Sequence, residues 1–368
     1  MKEIGQPCRV TLFLLTLMAI ADVPSVRGQV RAPRSDWDAV VAKAKEEGEV
    51  SLVTAWGPEP RAAVIRAVKE KYNINVKVLS AGASQSGARI LAERRANLFN
   101  VDVAVQGANF GVNIMKAAAA FDPAEPALML EDVKNPKIWF GEKFPWFDRD
   151  RTMIPFFARL DTNLAINTNL VKPDAIQSYK DILKPEWKGK ILLTDPTIVG
   201  SGSGWFRENG RGLGMDYMRA LVKQAPVILK DERQLVEWLA HGKYSVLVAG
   251  HGESLTHFIK EGAPIAIVEA KDSRTIGPSS GIVSLMNKAP HANAAKFFVN
   301  WLLTKEGQTI LSTTVGLPSR RVDVPTTHLL KATVPQPGQT YIEYTEDSTK
   351  GAKEAEKLTK DIFGTLLK

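Results

Sequence analysis

Short apolar runs alternate with segments of helical spacing along the first third of the chain. Runs at Glu49–Ala55, Val76–Leu79 and Val101–Val105 are typical of buried strands, and a helical pattern follows each of them. Ser35 would begin a helix before the first strand, and Gly48 would end it. This order of elements predicts a parallel sheet with helices on both faces.

A second series of the same kind follows an irregular, aromatic-rich stretch between Phe121 and Phe147. Two extended runs between Met153 and Asn169 would carry the chain from one lobe to the other. The strands of the second series are predicted at residues 190–193, 227–229, 245–248 and 264–268. A further strand is predicted at residues 282–285, after a small-residue loop.

These patterns predict an α/β fold of two doubly wound lobes joined by a hinge, with a ligand cleft between them. The second lobe would be inserted into the first, so the chain would cross between the lobes twice. The predicted boundaries are residues 35–157 with 270–345 for lobe 1, residues 158–269 for lobe 2 and residues 346–368 for a C-terminal helix.

The first residues of the chain predict export. Lys2 and Arg9 precede the apolar run Val10–Ala21, which is too short to span a bilayer. Val26-Arg27-Gly28 would give a cleavage site before Gln29, with cleavage after Ala21 as the alternative. We therefore expect residues 1–28 to be a cleaved signal peptide. The only cysteine, Cys8, would be removed with it, and an exported chain without cysteine suits the bacterial periplasm.

The composition narrows the class of partner. The apolar content of 44% and the charged content of 24% are ordinary for a globular protein of 368 residues. The net charge of +8 is spread along the chain, and no basic run is interleaved with aromatic residues, so we expect no nucleic acid partner. A basic balance does favour the capture of small acidic molecules.

A loop rich in glycine and serine follows the apolar run that ends at Thr194. Its Ser201, Gly202 and Ser203 would let the backbone approach a ligand and offer hydroxyl groups to it. If a helix begins after Gly204, its N–H groups and dipole would favour an anionic group in the loop. The spacing does not match a P-loop or a Gly-x-Ser-x-Gly nucleophile elbow.

Other candidate residues lie where predicted strands of lobe 1 end, because ligands bind beyond the carboxyl ends of parallel strands. Trp56 would stack on a ligand or pack between the lobes. Ser84, Gln85 and Ser86 precede a predicted helix, so one of them would cap it while its N–H groups receive an anion. Gln106 follows the third strand.

The remaining candidates belong to the hinge, to lobe 2 and to the part of lobe 1 that follows lobe 2 in the sequence. Arg159 would bind a planar oxyanion or pair with Asp161. His251 and Glu253 follow a predicted strand, where they would contact the ligand, cap a helix starting near Ser254, or serve as a general acid and base. Two serines from the small-residue loop near residue 280 complete the set of donors, Ser279 and Ser280.

Several blocks resemble periplasmic solute-binding proteins of the ferric-iron ABC-transporter class. They include Trp37-Asp38-Ala39, Ala44–Val50, the Ala88–Glu93 segment and the loop after Asp195-Pro196. The C-terminal block is similar as well, with Ala289–Lys296, Trp301-Leu302-Leu303, Lys305–Gln308 and Gly316-Leu317-Pro318. The resemblance spans Trp37 to Val324 and implies a type II periplasmic binding-protein fold that delivers a solute to a membrane permease.

One departure from that class bears on the solute. Its iron-binding members place adjacent tyrosines after the strand that matches Val246-Leu247-Val248, whereas this chain reads Ala249-Gly250-His251-Gly252-Glu253-Ser254. Where such members often carry a metal-binding histidine, this chain has Trp56-Gly57-Pro58. A ferric site needs several hard anionic oxygens, which these positions do not supply.

We therefore expect the monomeric substrate-binding component of an ABC transporter that takes a small anionic organic solute, such as a carboxylate or a phosphonate, and uses no cofactor. Ferric iron is the alternative solute. The alternative of another class is a secreted hydrolase that uses His251 and Glu253.

Overall fold

The computed structural model describes residues 35–160, 164–198, 201–250, 252–349 and 352–367. The predicted signal peptide lies outside the described residues. The described α-helices are α1 Ser35–Glu47, α2 Pro58–Tyr72, α3 Ala83–Arg95, α4 Glu131–Lys134, α5 Ser201–Leu213, α6 Met215–Lys223, α7 Glu232–Ala240, α8 Gly252–Lys260, α9 Ala292–Leu303, α10 Lys305–Val315, α11 Glu346–Thr349 and α12 Ala352–Phe363. The described strands are β1 Glu49–Thr54, β2 Asn75–Ser80, β3 Val103–Gln106, β4 Ile154–Pro155, β5 Arg159–Leu160, β6 Leu164–Asn167, β7 Ile191–Thr194, β8 Val227–Leu229, β9 Val246–Val248, β10 Ile265–Ile267, β11 Thr275–Gly277, β12 Ile282–Leu285 and β13 Ile342–Glu343.

Local sequence signals account for several of these boundaries. Gly48 has a φ of +77°, which favours glycine, and α1 ends just before it. Pro58 opens α2, where a missing N–H costs nothing, and Asn73 ends that helix in the left-handed region. The Asp231 side chain accepts a hydrogen bond from the Gln234 N–H and caps α7.

The first sheet has the strand order β2-β1-β3-β12-β4. β1 pairs in parallel with β2 and β3, whereas β12 runs antiparallel to both β3 and β4. One face carries the core that includes α1, α2, α9 and α10 residues, and the other face packs against α3 and the segment after β3. We call this sheet and its helices lobe 1.

The second sheet has the order β10-β6-β9-β7-β8, and we call it with its helices lobe 2. β9, β7 and β8 are parallel, while β6 is antiparallel to β9 and β10. Residues of α5, α6 and α12 pack on one face and residues of α7 and α8 on the other. All strands of this sheet lie between β4 and β12 in the sequence, so the predicted insertion of lobe 2 into lobe 1 agrees with the strand order.

A third, short sheet joins the lobes and was not predicted. β5 leads from β4 toward lobe 2, β11 returns antiparallel to it, and β13 pairs with β11 in parallel. The prediction of only two crossings is therefore wrong, because β13 leads to α11 near lobe 1 and then to α12 on lobe 2. The lobe boundaries given from the sequence stay predictions.

The segment after β3 also differs from the regular helix predicted after the third strand. Residues Phe110–Met115 form a π-helical turn, and Lys116–Ala118 form a 3₁₀ turn. The backbone at Gly111 lies against Met153, and a Cβ placed there would be 2.1 Å from the Met153 Cε. This close packing holds the segment against the strand that leads into the hinge.

Lys116 ties the C-terminal segment to lobe 1. Its Nζ lies 2.9 Å from Asp148, 2.8 Å from Asp150 and 2.9 Å from Glu346, the first residue of α11. Burial alone would lower the pKa of Lys116, but the hydrogen bonds to the three carboxylates more than offset it and hold that pKa above its usual value. Asp148 is fully buried and also accepts hydrogen bonds from Thr152.

We predict that Lys116→Met lowers the free energy of unfolding by about 2 kcal/mol, because it leaves a buried carboxylate without its cation. Lys134→Met is the matched control, since Lys134 forms an exposed pair with Glu131. The control should change the free energy by less than about 0.5 kcal/mol in urea unfolding. Equal effects of the two substitutions would contradict the role given to Lys116.

Candidate functional site

The carboxyl ends of the lobe 1 strands meet at one edge, as the sequence predicted. Thr54 at the end of β1 is level with Ser80 of β2 and Val105 of β3. The Ser80 hydroxyl donates to the Trp56 carbonyl at 3.3 Å, and the Ala81 N–H donates to the Thr54 carbonyl at 3.2 Å. These bonds fix the loops after β1 and β2 against each other.

Gln106 and the loop before β12 join the same edge. Gln106 is buried, and its Nε2 donates to the Ala81 carbonyl at 3.2 Å. A Cβ placed at Gly107 would lie 3.3 Å from the Ser279 carbonyl oxygen, so this glycine permits the close approach of the two loops. Ser279 has a φ of +52°, and both Ser279 and Ser280 are half-buried.

The amino end of α3 lies beside these loops. Ser84, Gln85 and Ser86 are in the first turn of the helix rather than before it, and the N-cap is Gly82, which makes no side-chain cap. The expectation that one of the three serves as the cap is therefore wrong. Ser84 and Gln85 are exposed, while the buried Ser86 hydroxyl donates back to the Gly82 carbonyl at 2.9 Å.

The first turn of α3 therefore presents N–H groups that the helix itself cannot pair. The amino end of α2, also at this edge, offers less to an anion. It has Pro58 and Pro60, which lack an N–H, and the acidic Glu59. Among these two helices, α3 is the one suited to an anionic group.

On the lobe 2 side, Ser201, Gly202 and Ser203 lie inside the first turn of α5. The helix begins at Ser201, so the prediction of a start after Gly204 is wrong. A Cβ at Gly202 would lie 2.3 Å from the Asp195 carbonyl oxygen and 2.6 Å from that of Thr194. Glycine is required here because the helix packs directly on the end of β7.

Two polar side chains at the end of β7, Asp195 and Thr194, differ in their hydrogen bonding. The Asp195 carboxylate accepts bonds from the Thr197 N–H at 2.8 Å and from its hydroxyl at 2.6 Å, which closes a local turn. Thr194 is buried, and its Oγ1 has no hydrogen-bond partner among the described residues. An unpaired hydroxyl at a strand end can accept or donate a bond to a ligand.

Two candidate side chains do not join the polar groups of the strand-end loops, although one of them, Trp56, belongs to the loop after β1. Trp56 is 3% exposed and belongs to the core of lobe 1, so its ring packs rather than facing solvent. Arg159 lies in β5 opposite Gly277 and is half-buried. It also lines a cavity between α8 and the loop after α10.

The loop that resembles the iron-binding position is only partly described. His251 lies outside the described residues, and so does the side chain of Glu253. The helix that follows is α8, which begins at Gly252 rather than near Ser254. Ala249, the residue after β9, is buried with a φ of +59°, a backbone conformation that is strained for alanine.

Arg207 and Tyr344 form a contact between the lobes that the sequence did not suggest. Arg207 lies on α5 of lobe 2, one turn after Ser203, and its Nη2 donates to the Tyr344 hydroxyl at 3.2 Å. Tyr344 packs on Phe147 in a cluster with Ala108 and Ile282, next to the lobe 1 strand ends.

The Arg207 Nε is buried and has no hydrogen-bond partner among the described residues. A buried donor of a cation without a partner is costly, so this N–H is suited to a ligand oxygen. The signal in the sequence is weak: Ser203 and Arg207 are four residues apart and therefore share one helix face.

The described residues contain neither a metal-binding cluster nor a helix that could span a membrane. No group of three or more His, Cys, Asp or Glu in the described ranges could hold a metal ion. Within the same ranges, no helix combines the length and the apolar character that crossing a bilayer demands.

Comparison with known proteins supports the fold. Residues 63–335 match a family model described as bacterial extracellular solute-binding protein. No curated protein matches the chain. Among solved structures, the chain is similar to the periplasmic binding protein AfuA of Actinobacillus pleuropneumoniae with fructose-6-phosphate bound, at 18% identity and a TM-score of 0.61, over 87% of this chain and 99% of that one.

Two further structures are iron-bound. IdiA (FutA) of Trichodesmium, in complex with iron and citrate, has 17% identity and a TM-score of 0.67 over 86% of this chain and 99% of that one. Iron-bound HitA of Pseudomonas aeruginosa has 17% identity and a TM-score of 0.62 over 85% and 99%. These likenesses confirm the predicted two-lobe, type II periplasmic binding-protein fold.

We predict that Gly202→Ala lowers the free energy of unfolding by about 2 kcal/mol, because the added methyl group overlaps the carbonyl oxygens at the end of β7. Gly204→Ala is the control: no atom lies within 4 Å of its Cβ position, and alanine is the better helix former by about 0.5–1 kcal/mol. Thermal and urea unfolding measure both. A stable Gly202→Ala protein would contradict the packing described for α5.

Proposed function

Because the chain belongs to the family of bacterial extracellular solute-binding proteins, we propose that it captures a small anionic organic solute between its two lobes. Members of this family are the solute-binding components of ABC transporters, so the chain binds a small solute for a permease and is not an enzyme. The hydrolase alternative built on His251 and Glu253 is therefore wrong. Export by residues 1–28 to the periplasm and a monomeric state are parts of the proposal.

The observation that carries the choice of an anion is Arg207. Its guanidinium has a buried Nε–H without a partner among the described residues, at a contact between α5 and the lobe 1 side of the cleft. Guanidinium binds carboxylate and phosphate oxygens through two parallel hydrogen bonds. Such a group therefore favours an oxyanion over a neutral sugar or a cation.

Donors from lobe 1 support the same choice. The uncapped first turn of α3 offers N–H groups beside Gln106 and the Ser279–Ser280 loop. The Ser203 hydroxyl on α5 would add a donor from the other lobe. An anion held by both sides would stabilise the closed arrangement of the lobes, which is the form that binding proteins of this kind use to retain a ligand.

The number and kind of these donors suggest the chemical class of the solute. One helix terminus and one arginine supply a site for one carboxylate, phosphonate or phosphate group, while hydroxyl and amide groups would bind the rest of the molecule. A sugar phosphate bound to the similar structure of AfuA has that combination of groups. We extend this to the present chain as a proposal about class only.

Ferric iron is the alternative solute, since two of the similar structures hold iron. Among the described residues, no group of three or more His, Cys, Asp or Glu could hold a metal ion. The sequence after β9 also lacks the adjacent tyrosines of the iron-binding members, and we take this as support for the organic anion. If iron were the solute, protein incubated with ferric citrate and desalted would retain iron and show a visible absorption band, whereas we expect no retained iron.

We predict that a panel of carboxylates, phosphonates and sugar phosphates contains compounds that raise the melting temperature of the wild-type protein. A ligand at about one hundred times its dissociation constant stabilises the folded state by about 2.7 kcal/mol. Arg207→Met should weaken binding of the best compound at least tenfold in calorimetry, because it removes the charged donor. Stabilisation by cations or neutral sugars alone would contradict the proposal.

The control for Arg207 is Arg219→Met. Arg219 lies on α6 of the same lobe and forms an exposed pair with Asp216 three residues before it. The substitution removes the same charge and should leave the affinity unchanged. Equal losses in the two variants would mean that only the net charge of the protein matters.

A further inference from the structure

A cavity of about 350 Å³ lies beside the hinge strands and is separate from the strand-end loops. Its walls are α8, β5, the loop that follows α10 and the segment of residues 328–333. We call it the hinge-side cavity. Among the candidate residues whose side chains the structure describes, Arg159 alone lines it.

The charged side chains among the described residues that line the hinge-side cavity are basic. Arg159 and Lys260 line it, together with His257 and His328, and none of the described lining residues is Asp or Glu. Glu261 lies just outside and is 3.3 Å from the exposed His257. The His328 Nε2 lies 3.0 Å from the Ser312 carbonyl oxygen, a hydrogen bond that orients the ring. Arg159 already has an interaction partner. Because a guanidinium carries five N–H donors, it can bind more than one group at the same time.

The rest of the cavity wall is mainly apolar. Leu160 comes from the hinge strand, Leu317 and Pro318 from the loop after α10, and Leu329 and Leu330 from the later segment. A concave apolar pocket with a few convergent polar groups is the usual form of a small-molecule site, and 350 Å³ is within the range of such sites.

We propose that the hinge-side cavity binds an organic anion with an apolar body, such as an aryl sulfonate or a medium-chain carboxylate. The acidic group lies between Arg159 and Lys260, and the apolar part lies on the leucines. This site is additional to the cleft site of the proposed function and does not depend on it.

The occupant would contact both lobes. α8 packs with α7 and β10 of lobe 2, whereas α10 packs with α2 and α9 of lobe 1. A molecule in the cavity would therefore touch elements that are anchored on different sheets, next to the strand β5 that connects them.

The test uses 8-anilinonaphthalene-1-sulfonate, an aryl sulfonate whose fluorescence rises in apolar surroundings, with decanoate as competitor. We expect saturable binding of one molecule that decanoate displaces. Lys260→Glu should weaken the dissociation constant at least fivefold, and Thr256→Trp should abolish the signal by filling the cavity from α8.

Lys223→Glu is the matched control, because Lys223 ends α6 as Lys260 ends α8 and both side chains are exposed. It should bind the dye as the wild type does, and so should the cleft variant Arg207→Met. The proposal is overturned if Lys223→Glu weakens binding as much as Lys260→Glu does. It is also overturned if Thr256→Trp leaves the signal intact, or if Arg207→Met removes it.

Discussion

The structure depends on the main-chain pairing of β12 between β3 and β4. Ile282 is paired with Gln106 on one side and with Pro155 on the other, so lobe 1 is complete only after the chain has passed through lobe 2 and returned. The same pairing brings the loop before β12 against the ends of the parallel strands. Backbone hydrogen bonds that close the sheet therefore also assemble one wall of the cleft.

The sequence predicted most strands and the order of the lobes, because these depend on local patterns. Gly48 marks the end of α1, and Pro58 and Asp231 mark the starts of α2 and α7. Each of them acts on the backbone within a few residues of its own position. The third sheet could not be predicted in this way. Its strands are two or three residues long, and partners far away in the sequence hold them in place, so no local period marks them.

The positions of some candidate residues were predicted for a similar reason, while their contact with a ligand stays a prediction. Parallel strands end at the same edge, so the loops after β1, β2 and β3 were expected to lie together, and they do. The approach of the Ser279 loop to Gly107 was not predicted, because β12 pairs with β3 from far away in the sequence. The starts of α3 and α5 were misjudged, because glycine at a helix start resembles a loop in the sequence. Arg207 was missed because it lies within a helix, and only its contacts in the folded chain distinguish it from a surface arginine.

The first and last α-helices of the described chain, α1 and α12, pack on different lobes. Trp37 of α1 stacks on Phe297 in lobe 1, and Phe363 of α12 packs on Phe206 in lobe 2. Asp38 and Lys357 are exposed positions on these two helices. Cys8 is the only cysteine in the sequence and lies in the predicted signal peptide, so it would not compete for a dye in the mature chain. Cysteines introduced at these two positions could each carry a dye. A movement of one lobe relative to the other would then change the resonance energy transfer between the dyes, so binding of the solute could be followed by fluorescence.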